Sequence, residues 1–396
     1  MKLIQKPFAA VSALLIIASA IALKVPDNKT TSPDPVSVPQ QKPLNNSIPK
    51  IQAAILLDVS GSMDGLIDQA KAQLWNMVSV MGKASCDGVT PQIEIALYEY
   101  GRDSNDPKAG YVKQLSGFTT DLDGLSQKLF SLTTNGGSEY CGQVISTSLN
   151  ELSWDTSAAS YKVIFIAGNE DFLQGKIHYT QSCDKANSKG VIVNTIYCGD
   201  RMQGIREHWN LSGECGKGSY TNINQNARQE DIATPYDSAM FTLNTRLNGT
   251  YIAYGNGGAG YFAAQESVDK MNYSQSKSAA LKRVGVKGKK SLYKNESWDL
   301  VDASDKDSTF YAKVDLKTLP AELQNKSRPE IQKIVKEKNM ERVSLQKEIA
   351  DLSMKRESYI ATAKKTTTAT AADATLETEV EKIIKEQAKR FRMTIQ

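Results

Sequence analysis

Strand-like and helix-like patterns alternate along residues 51–224 of this chain. Residues 51–57 are almost uninterruptedly apolar, as expected of a strand covered on both faces, and residues 65–82 carry apolar side chains at helical spacing. Further strands are predicted at 93–100, 111–115, 163–167, 191–197 and 219–223, with helices at 121–132 and 143–152. Such alternation predicts an α/β domain over residues 51–225, with a doubly wound, mostly parallel sheet.

The N-terminal residues have the pattern of an export signal. Lys2 and Lys6 precede an apolar run over residues 8–23, and either Ala18-Ser19-Ala20 or Ala20-Ile21-Ala22 offers small residues for cleavage. We therefore predict a signal peptide at 1–22 and a proline-rich linker at 23–50. The expected destination is the periplasm, the cell surface or the medium. An uncleaved signal that tethers the chain to the membrane is the alternative.

The C-terminal part changes character after residue 225. Residues 226–320 read as a mainly helical extension, with helices at 236–247 and 260–284, and residues 321–396 as a charged helical arm. Apolar residues recur at coiled-coil spacing in the arm, and basic residues interrupt that seam. The seam comprises Leu345, Ile349, Leu352 and Tyr359, and the interruptions are Lys338, Arg342 and Arg356. A last helix is predicted at 376–393. The partial coiled-coil pattern favours packing of these helices on another helix or protein over a merely solvated helix face, and self-association through them is one form that such packing could take.

Composition and motifs argue against nucleic-acid binding and against catalysis. The net charge is only +4, and no dense basic patch with interleaved aromatic residues occurs. His178 and His208 are the only histidines, and neither a GxSxG nor a Walker-type motif is present. Cys141 paired with a histidine, or a hydrolytic Glu170-Asp171 carboxylate pair, is a weaker interpretation. We therefore expect no enzyme activity.

Five cysteines are compatible with an oxidising compartment. The disulfide candidates are Cys86, Cys141, Cys183, Cys198 and Cys215. Because the number is odd, at least one thiol is left over, and the sequence does not determine the pairing. No CxxC or HExxH spacing supports a zinc site.

The strongest local motif is Asp58-Val59-Ser60-Gly61-Ser62, directly after the first predicted strand. Ligand sites of open α/β sheets lie at the carboxyl ends of strands, and a carboxylate with two hydroxyls is a ligand set for a hard divalent cation. The alternative is that Asp58 and Ser60 only cap the turn and the following helix.

At this motif the chain resembles the von Willebrand factor A (VWA) family, whose DxSxS sequence opens a metal-ion-dependent adhesion site (MIDAS). The resemblance covers residues 51 to about 224 and implies further ligands from two other loops. The second loop resembles residues 135–142, where the usual threonine falls on Ser138 or Glu139. In the third loop, residues 166–171, Gly168 stands at the usual aspartate and Glu170 is offset by two positions.

These residues predict an exported bacterial module that binds a protein partner through a divalent cation, Mg²⁺ or else Mn²⁺ or Ca²⁺. The predicted ligands are Asp58, Ser60, Ser62, Ser138, Glu139 and Glu170. A carboxylate at Glu139 would strengthen ion binding and weaken the attraction of the ion for an acidic partner. The alternative is a structural envelope protein with an ion-independent VWA-like domain and an oligomerising helical arm.

Overall fold

The computed structural model describes residues 48–227, 231–366 and 375–395, except for the side chains of residues 365 and 366. The predicted signal peptide and nearly all of the proline-rich linker lie outside these described residues. The Thr/Ala-rich stretch at residues 366–375 also lies outside them, apart from its two end residues.

Six strands form the central sheet, and two short strands form a second ladder. In chain order the strands are β1 Lys50–Asp58, β2 Ala84–Cys86, β3 Gln92–Tyr100, β4 Lys113–Thr119, β5 Tyr161–Gly168, β6 Ile192–Cys198, β7 Lys217–Ile223 and β8 Met393–Ile395. The sheet order is β4-β3-β1-β5-β6-β7, in which only the edge strand β4 runs antiparallel to its neighbour. The predicted doubly wound, mostly parallel sheet is confirmed.

Helices cover both faces of the sheet and make up most of the chain after β7. They are α1 Asp64–Met81, α2 Leu122–Phe130, α3 Cys141–Glu151, α4 Tyr179–Lys189, α5 Arg201–Arg206, α6 Trp209–Cys215, α7 Asp237–Asn248, α8 Gly258–Gln275, α9 Lys277–Lys287, α10 Leu300–Lys306, α11 Phe310–Lys313, α12 Ala321–Gln324, α13 Arg328–Thr366 and α14 Leu376–Ala388. Single 3₁₀ turns occur at Pro107–Ala109, Leu316–Thr318 and Lys389–Phe391. None of the described helices is both long and apolar enough to cross a bilayer.

The central strand β1 is buried on both faces, which explains its uninterrupted apolar sequence. Ile55 and Leu57 belong to the core beneath α1, whereas Ala54 and Leu56 belong to the core on the opposite face, which Trp209 of α6 also joins. Successive side chains of a strand point to opposite faces, so one apolar run supplies both cores. The order of the sheet reverses between β1 and β5, and ligands of such sheets bind at the carboxyl ends of the strands beside that reversal.

Two of the predicted C-terminal helices have wrong boundaries. The helix predicted at 260–284 is broken at Ser276, whose backbone is extended and whose side chain caps α9 by accepting a hydrogen bond from the Ala279 amide. The helix predicted at 376–393 ends at Ala388, and the chain then continues into β8, which pairs with β2. Local apolar spacing continued through both points, but capping and strand pairing ended the helices there.

Two of the three basic interruptions of the predicted seam, Arg342 and Arg356, anchor α13 to the rest of the chain, whereas Lys338 pairs with Glu341 of the same helix. Arg342 is 3% exposed, and its guanidinium bonds Asp299 at 2.6 Å and Asp302 at 2.7 Å while lying 4.1 Å from the centre of the Tyr251 ring. Arg356 likewise bonds Asp237 of α7 at 3.0 Å. These arginines therefore continue the packed face of α13, because their charges are neutralised inside the contact.

The apolar residues of the seam are used within the chain. Leu345 and Ile349 are fully buried, and α13 packs against α7, α9 and α10, whereas Tyr359 is 44% exposed. The helix α14 packs on α1, and its Ile384 lies in the same core as Leu57. The domain boundaries at residues 225 and 320 stay predictions. The segment predicted as an arm nevertheless supplies part of the core beneath the sheet.

The cysteines form one disulfide. Cys183 of α4 and Cys215 of α6 are bonded, with their Cα atoms 5.7 Å apart. Cys86, Cys141 and Cys198 are free thiols, so their candidacy as disulfide partners was wrong. Cys141 lies at the start of α3 and Cys198 at the end of β6, both buried among other side chains of the sheet. The sequence does not say which of the five cysteines lie close together in space, so the pairing could be identified only from the fold.

Removal of this disulfide should destabilise the domain without unfolding it. The bond closes a sequence separation of 32 residues, for which constraint of the unfolded chain predicts roughly 2–4 kcal/mol. We expect the Cys183→Ser/Cys215→Ser double variant to lose about that much free energy of unfolding in urea titrations. The Cys86→Ser variant, which breaks no disulfide, is the control. Equal midpoints for the double variant and wild type under oxidising conditions would contradict the assignment.

Candidate metal centre

Four loops meet at the carboxyl end of the sheet around Asp58. They are the DxSGS loop after β1, the turn after β3 at Gly101, the loop that precedes α3, and the loop after β5. Backbone hydrogen bonds join them: the Val59 amide donates to Tyr100, and the Asn135 amide donates to Val59, each at 2.9 Å. The predicted first and second loops are therefore neighbours.

Asp58 is the buried centre of this site. Its side chain is 0% exposed, and Oδ1 accepts a hydrogen bond of 2.7 Å from the Ser60 amide. Its other oxygen, Oδ2, and the Ser60 hydroxyl are buried without a hydrogen-bond partner. Buried polar atoms nearly always have a partner, so two adjacent unpartnered oxygens mark a place suited to a cation or to ordered water.

Glu139 lies beside Asp58 and changes the electrostatics of the site. Both side chains crowd against Gly101: a Cβ placed there would lie 2.8 Å from Asp58 Oδ1 and 3.1 Å from Glu139 Cγ. Gly101 also has φ of +83°, so glycine suits both the backbone and the space. Ser138, the other predicted candidate of this loop, is half-buried next to Glu139.

Burial and mutual repulsion hold protons on these carboxylates. Burial raises the pKa of Asp58 to about 7, the hydrogen bond from the Ser60 amide acts against this rise, and the Glu170 carboxylate adds to it. Burial likewise raises the pKa of Glu139 to about 7, with further increases from Asp58, Glu170 and Asp103. A site that destabilises its own negative charges in this way attracts a cation.

The third loop enters the site through a residue that the sequence analysis did not single out. Asn169 Nδ2 donates to Ser62 Oγ at 3.2 Å, so the exposed Ser62 is tied to this loop. Glu170 is exposed and interacts with Asp58 and Glu139 through its charge. Asp171 turns away and bonds His208 Nδ1 at 3.0 Å. Asn169 lies two residues after the strand predicted at 163–167, and this position is the signal that could have identified it.

The oxygen atoms that this site offers as ligands fit a hard cation that retains some of its bound water molecules. Among residues 48–227, 231–366 and 375–395, no three His, Cys, Asp or Glu side chains form a group that could hold a metal ion. The protein's own ligands would thus be hydroxyls with at most two carboxylates. Mg²⁺ commonly binds with few protein ligands and several waters, and oxygen donors suit it. Asp58, Ser60 and Ser62 are the residues that would hold it, with Glu139 and Glu170 as nearby charges.

The thiol next to this site is not set up as a nucleophile. Burial raises the pKa of Cys141 well above its usual range, and the Asp58 and Glu139 carboxylates raise it further. Its Sγ lies 3.8 Å from the Tyr100 hydroxyl, while His178 bonds Thr180 and His208 bonds Asp171. A protonated thiol without a histidine partner lacks the activation that cysteine catalysis requires.

The known proteins that this chain is similar to match only part of it. The chain matches no protein-family model and no curated protein sequence. Among solved structures it is similar to proximal thread matrix protein 1 of the mussel byssus, a structure with a zinc-occupied MIDAS motif. The identity is 11%, the TM-score 0.34, and the match covers 44% of this chain and 42% of that one.

Two further similar structures are the SpRpn10 VWA domain and the conserved hypothetical protein BatB of Bacteroides thetaiotaomicron. The first is 14% identical with a TM-score of 0.34, covering 44% of this chain and 88% of that one. The second is 15% identical with a TM-score of 0.32, covering 50% and 98%. The family named for SpRpn10 is the one that the sequence resembles. Similarities this weak transfer no function, and the fold rests on the strand order described above.

Proposed function

We propose that this chain is a non-enzymatic, exported module that binds a protein partner through a divalent cation held at the 58–62 loop. One observation carries the proposal: Asp58 Oδ2 and Ser60 Oγ are buried without partners at the carboxyl end of β1, among further carboxylates. A bound cation would satisfy both oxygens and relieve the repulsion between Asp58, Glu139 and Glu170. It would supply an open coordination position to which a partner's oxygen ligand could bind.

The Glu139 carboxylate should make this site hold its ion more tightly and attract acidic partners less. Its negative charge lies beside Asp58, so it strengthens the binding of the cation. The same charge reduces the net positive charge of the occupied site, which would otherwise attract an acidic partner. We expect Glu139→Thr to bind Mg²⁺ roughly tenfold more weakly, corresponding to about 1.4 kcal/mol. Isothermal titration measures this change. Unchanged affinity in Glu139→Thr would remove Glu139 from the site, and the exposed Glu214→Gln variant on α6 is the control.

The partner can be sought through its dependence on the ion. We expect crosslinking pull-downs with the full chain to capture a protein in Mg²⁺ that is lost in excess chelator. The same protein should be missing when Asp58→Asn is the bait, because the ion contact is removed. If the same amount of the protein is captured in Mg²⁺ and in chelator, and with wild type and Asp58→Asn as bait, the cation-dependent function is refuted.

The second candidate is a structural envelope protein whose VWA-like domain needs no ion. The raised pKa of Asp58, about 7, favours it, because a protonated carboxyl near neutral pH reduces the need for a cation. This candidate predicts no heat from Mg²⁺ and a function that resides in assembly through the surface of α13. Ion titration therefore separates the two candidates.

A further inference from the structure

The disulfide joins two helices, each of which contacts a different loop of the candidate metal centre. Cys183 belongs to α4, and Cys215 is the last residue of α6. The helix α6 contacts the third loop, which carries Glu170, and α4 contacts the second loop, which carries Glu139. The bond therefore connects the helices that support two carboxylates of the centre.

The helix α6 holds the chain at the third loop and just beyond it. The Trp209 indole Nε1 donates to the Glu170 carbonyl oxygen at 2.7 Å, and the Phe172 amide donates to the Glu207 carbonyl oxygen at 2.9 Å. The rings of Phe172 and Trp209 pack edge to face, with centroids 5.0 Å apart. Since α6 has only seven residues, about two turns, the disulfide fixes one end of it and these contacts occupy the other.

The helix α4 holds the second loop where that loop enters α3. The hydroxyl of Ser182, which is 1% exposed, donates to the Gly142 carbonyl oxygen at 2.8 Å. Gly142 follows Glu139 by three residues and lies in the first turn of α3. A Cβ at Gly142 would clash with the Ile177 carbonyl oxygen, so the chain that leads into α4 lies directly on the start of α3. Movement of α4 would therefore move the loop that carries Glu139.

Repulsion between the carboxylates opposes this arrangement. The charges of Glu139 and Glu170 interact with each other and with that of Asp58. In the ion-free protein this repulsion favours separation of the second and third loops. A covalent bond between α4 and α6 resists the separation, because these helices hold the two loops. Ligand groups that are held in place before an ion arrives bind it more tightly, since less ordering is needed on binding.

We propose that the Cys183–Cys215 disulfide positions the cation site, acting on the third loop through α6 and on the second loop through α4. This inference rests on the proposed cation-binding function. The intact bond keeps Glu139 and Glu170 close enough for both to attract one ion. Without the bond, α6 and α4 separate and the ion is held less tightly. Trp209 and Ser182 are the positioning residues that transmit the constraint to the loops.

Calorimetric titration of Mg²⁺ into the full chain at pH 8 tests this role. We expect Cys183→Ser/Cys215→Ser and Trp209→Phe each to bind Mg²⁺ about tenfold more weakly than wild type. Trp209→Phe keeps an aromatic ring and removes the indole N–H. The variant that combines the three changes should be weakened less than the roughly hundredfold expected of independent effects, because both act through α6.

The matched control is Ile384→Ala, which removes apolar contacts in the core on the opposite face of the sheet from Trp209. It destabilises the domain without changing a contact of α4 or α6. We therefore expect it to bind Mg²⁺ as tightly as wild type does. Weakening of Mg²⁺ binding by Ile384→Ala as large as that by Cys183→Ser/Cys215→Ser would show that the disulfide acts through general stability, and would overturn the proposal.

Amide hydrogen exchange in chelator tests the coupling without the ion. The Phe172 amide should exchange at least about fivefold faster in Cys183→Ser/Cys215→Ser, relative to the Val59 amide, which donates to Tyr100 in the same loop cluster. A general loss of stability would speed both amides equally, and Ile384→Ala should show that behaviour. An unchanged ratio of the two rates in the double variant would overturn the proposal, whether or not Mg²⁺ binds.

The outcomes separate this proposal from the proposed function. Absence of Mg²⁺ binding in wild type would refute the cation-dependent function. Binding in wild type with unchanged affinity in Cys183→Ser/Cys215→Ser, or a full hundredfold loss in the combined variant, would refute the positioning role alone. If the double variant does not fold, Ser182→Ala replaces it, since it removes one hydroxyl and leaves the disulfide intact. Ser182→Ala should weaken Mg²⁺ binding about fivefold, and unchanged affinity would contradict the proposal.

Discussion

Deletion of residues 367–396, which removes α14 and β8, should abolish cooperative folding of the α/β domain. Val380 and Ile384 of α14 are 1% and 0% exposed and share the core with Leu57 of the central strand. Burying side chains of this size stabilises by about 2–5 kcal/mol each, and a whole domain has only about 5–15 kcal/mol of stability. We expect the truncated chain to lose its urea unfolding transition, measured by circular dichroism.

Polar contacts of α14 with the sheet add to this expectation. The amide of Gln387 exchanges hydrogen bonds with Asn194 of β6 and accepts one from the Tyr161 hydroxyl of β5. The point variant Ile384→Ala should cost about 2–5 kcal/mol, whereas the exposed Lys382→Ala should be near neutral. A truncated chain with an unfolding midpoint equal to that of wild type would show that α14 is dispensable.

The docking of α14 marks the limit of what the sequence could predict. The apolar runs of β1 and β5 predicted buried strands, because a strand covered on both faces has a characteristic local pattern. An amphipathic helix such as α14 has an equally clear pattern, but spacing does not say which surface its apolar face will meet. The sequence therefore predicted the helix and left its packing partner undetermined.

Buried charges were the second limit. Arg342 looked like an interruption of an apolar seam, because the favourable partner of a buried arginine is distant in sequence. In the candidate site, too, the sequence motif predicted some residues, whereas contacts between distant parts of the chain could not be predicted. Asp58 and Ser60 followed from one motif, whereas the contact of Asn169 with Ser62 and the closeness of Glu139 to Asp58 required the sheet to bring four loops together.

The ion-free protein should lose stability as the pH rises, and Asp58 should account for much of that loss. Its pKa is raised from an ordinary 3.8 to about 7, so the folded state holds the proton more tightly than the unfolded chain. Between these values the unfolded chain releases the proton first, and the free energy of unfolding falls by up to about 1.4 kcal/mol per pH unit. Above pH of about 7 this contribution stays constant.

Asp58→Asn should remove this dependence because an amide does not titrate. In excess chelator at pH 8 we expect the variant to be more stable than wild type by about 2–4 kcal/mol, with a smaller difference at pH 5. Urea titrations at the two pH values measure this. Asp184→Asn, which changes an exposed carboxylate of α4, should follow wild type. Parallel pH profiles of wild type and Asp58→Asn would contradict the buried, proton-holding role of Asp58.

Titration of Mg²⁺ into chelator-stripped full chain at pH 8, by calorimetry, tests the cation site most directly. We predict a saturable heat that corresponds to one ion per chain in wild type and its disappearance in Asp58→Asn, because Asp58 is the buried carboxylate of the proposed ligand set. No heat in wild type, or the same heat in Asp58→Asn, would contradict the presence of a cation site at the 58–62 loop.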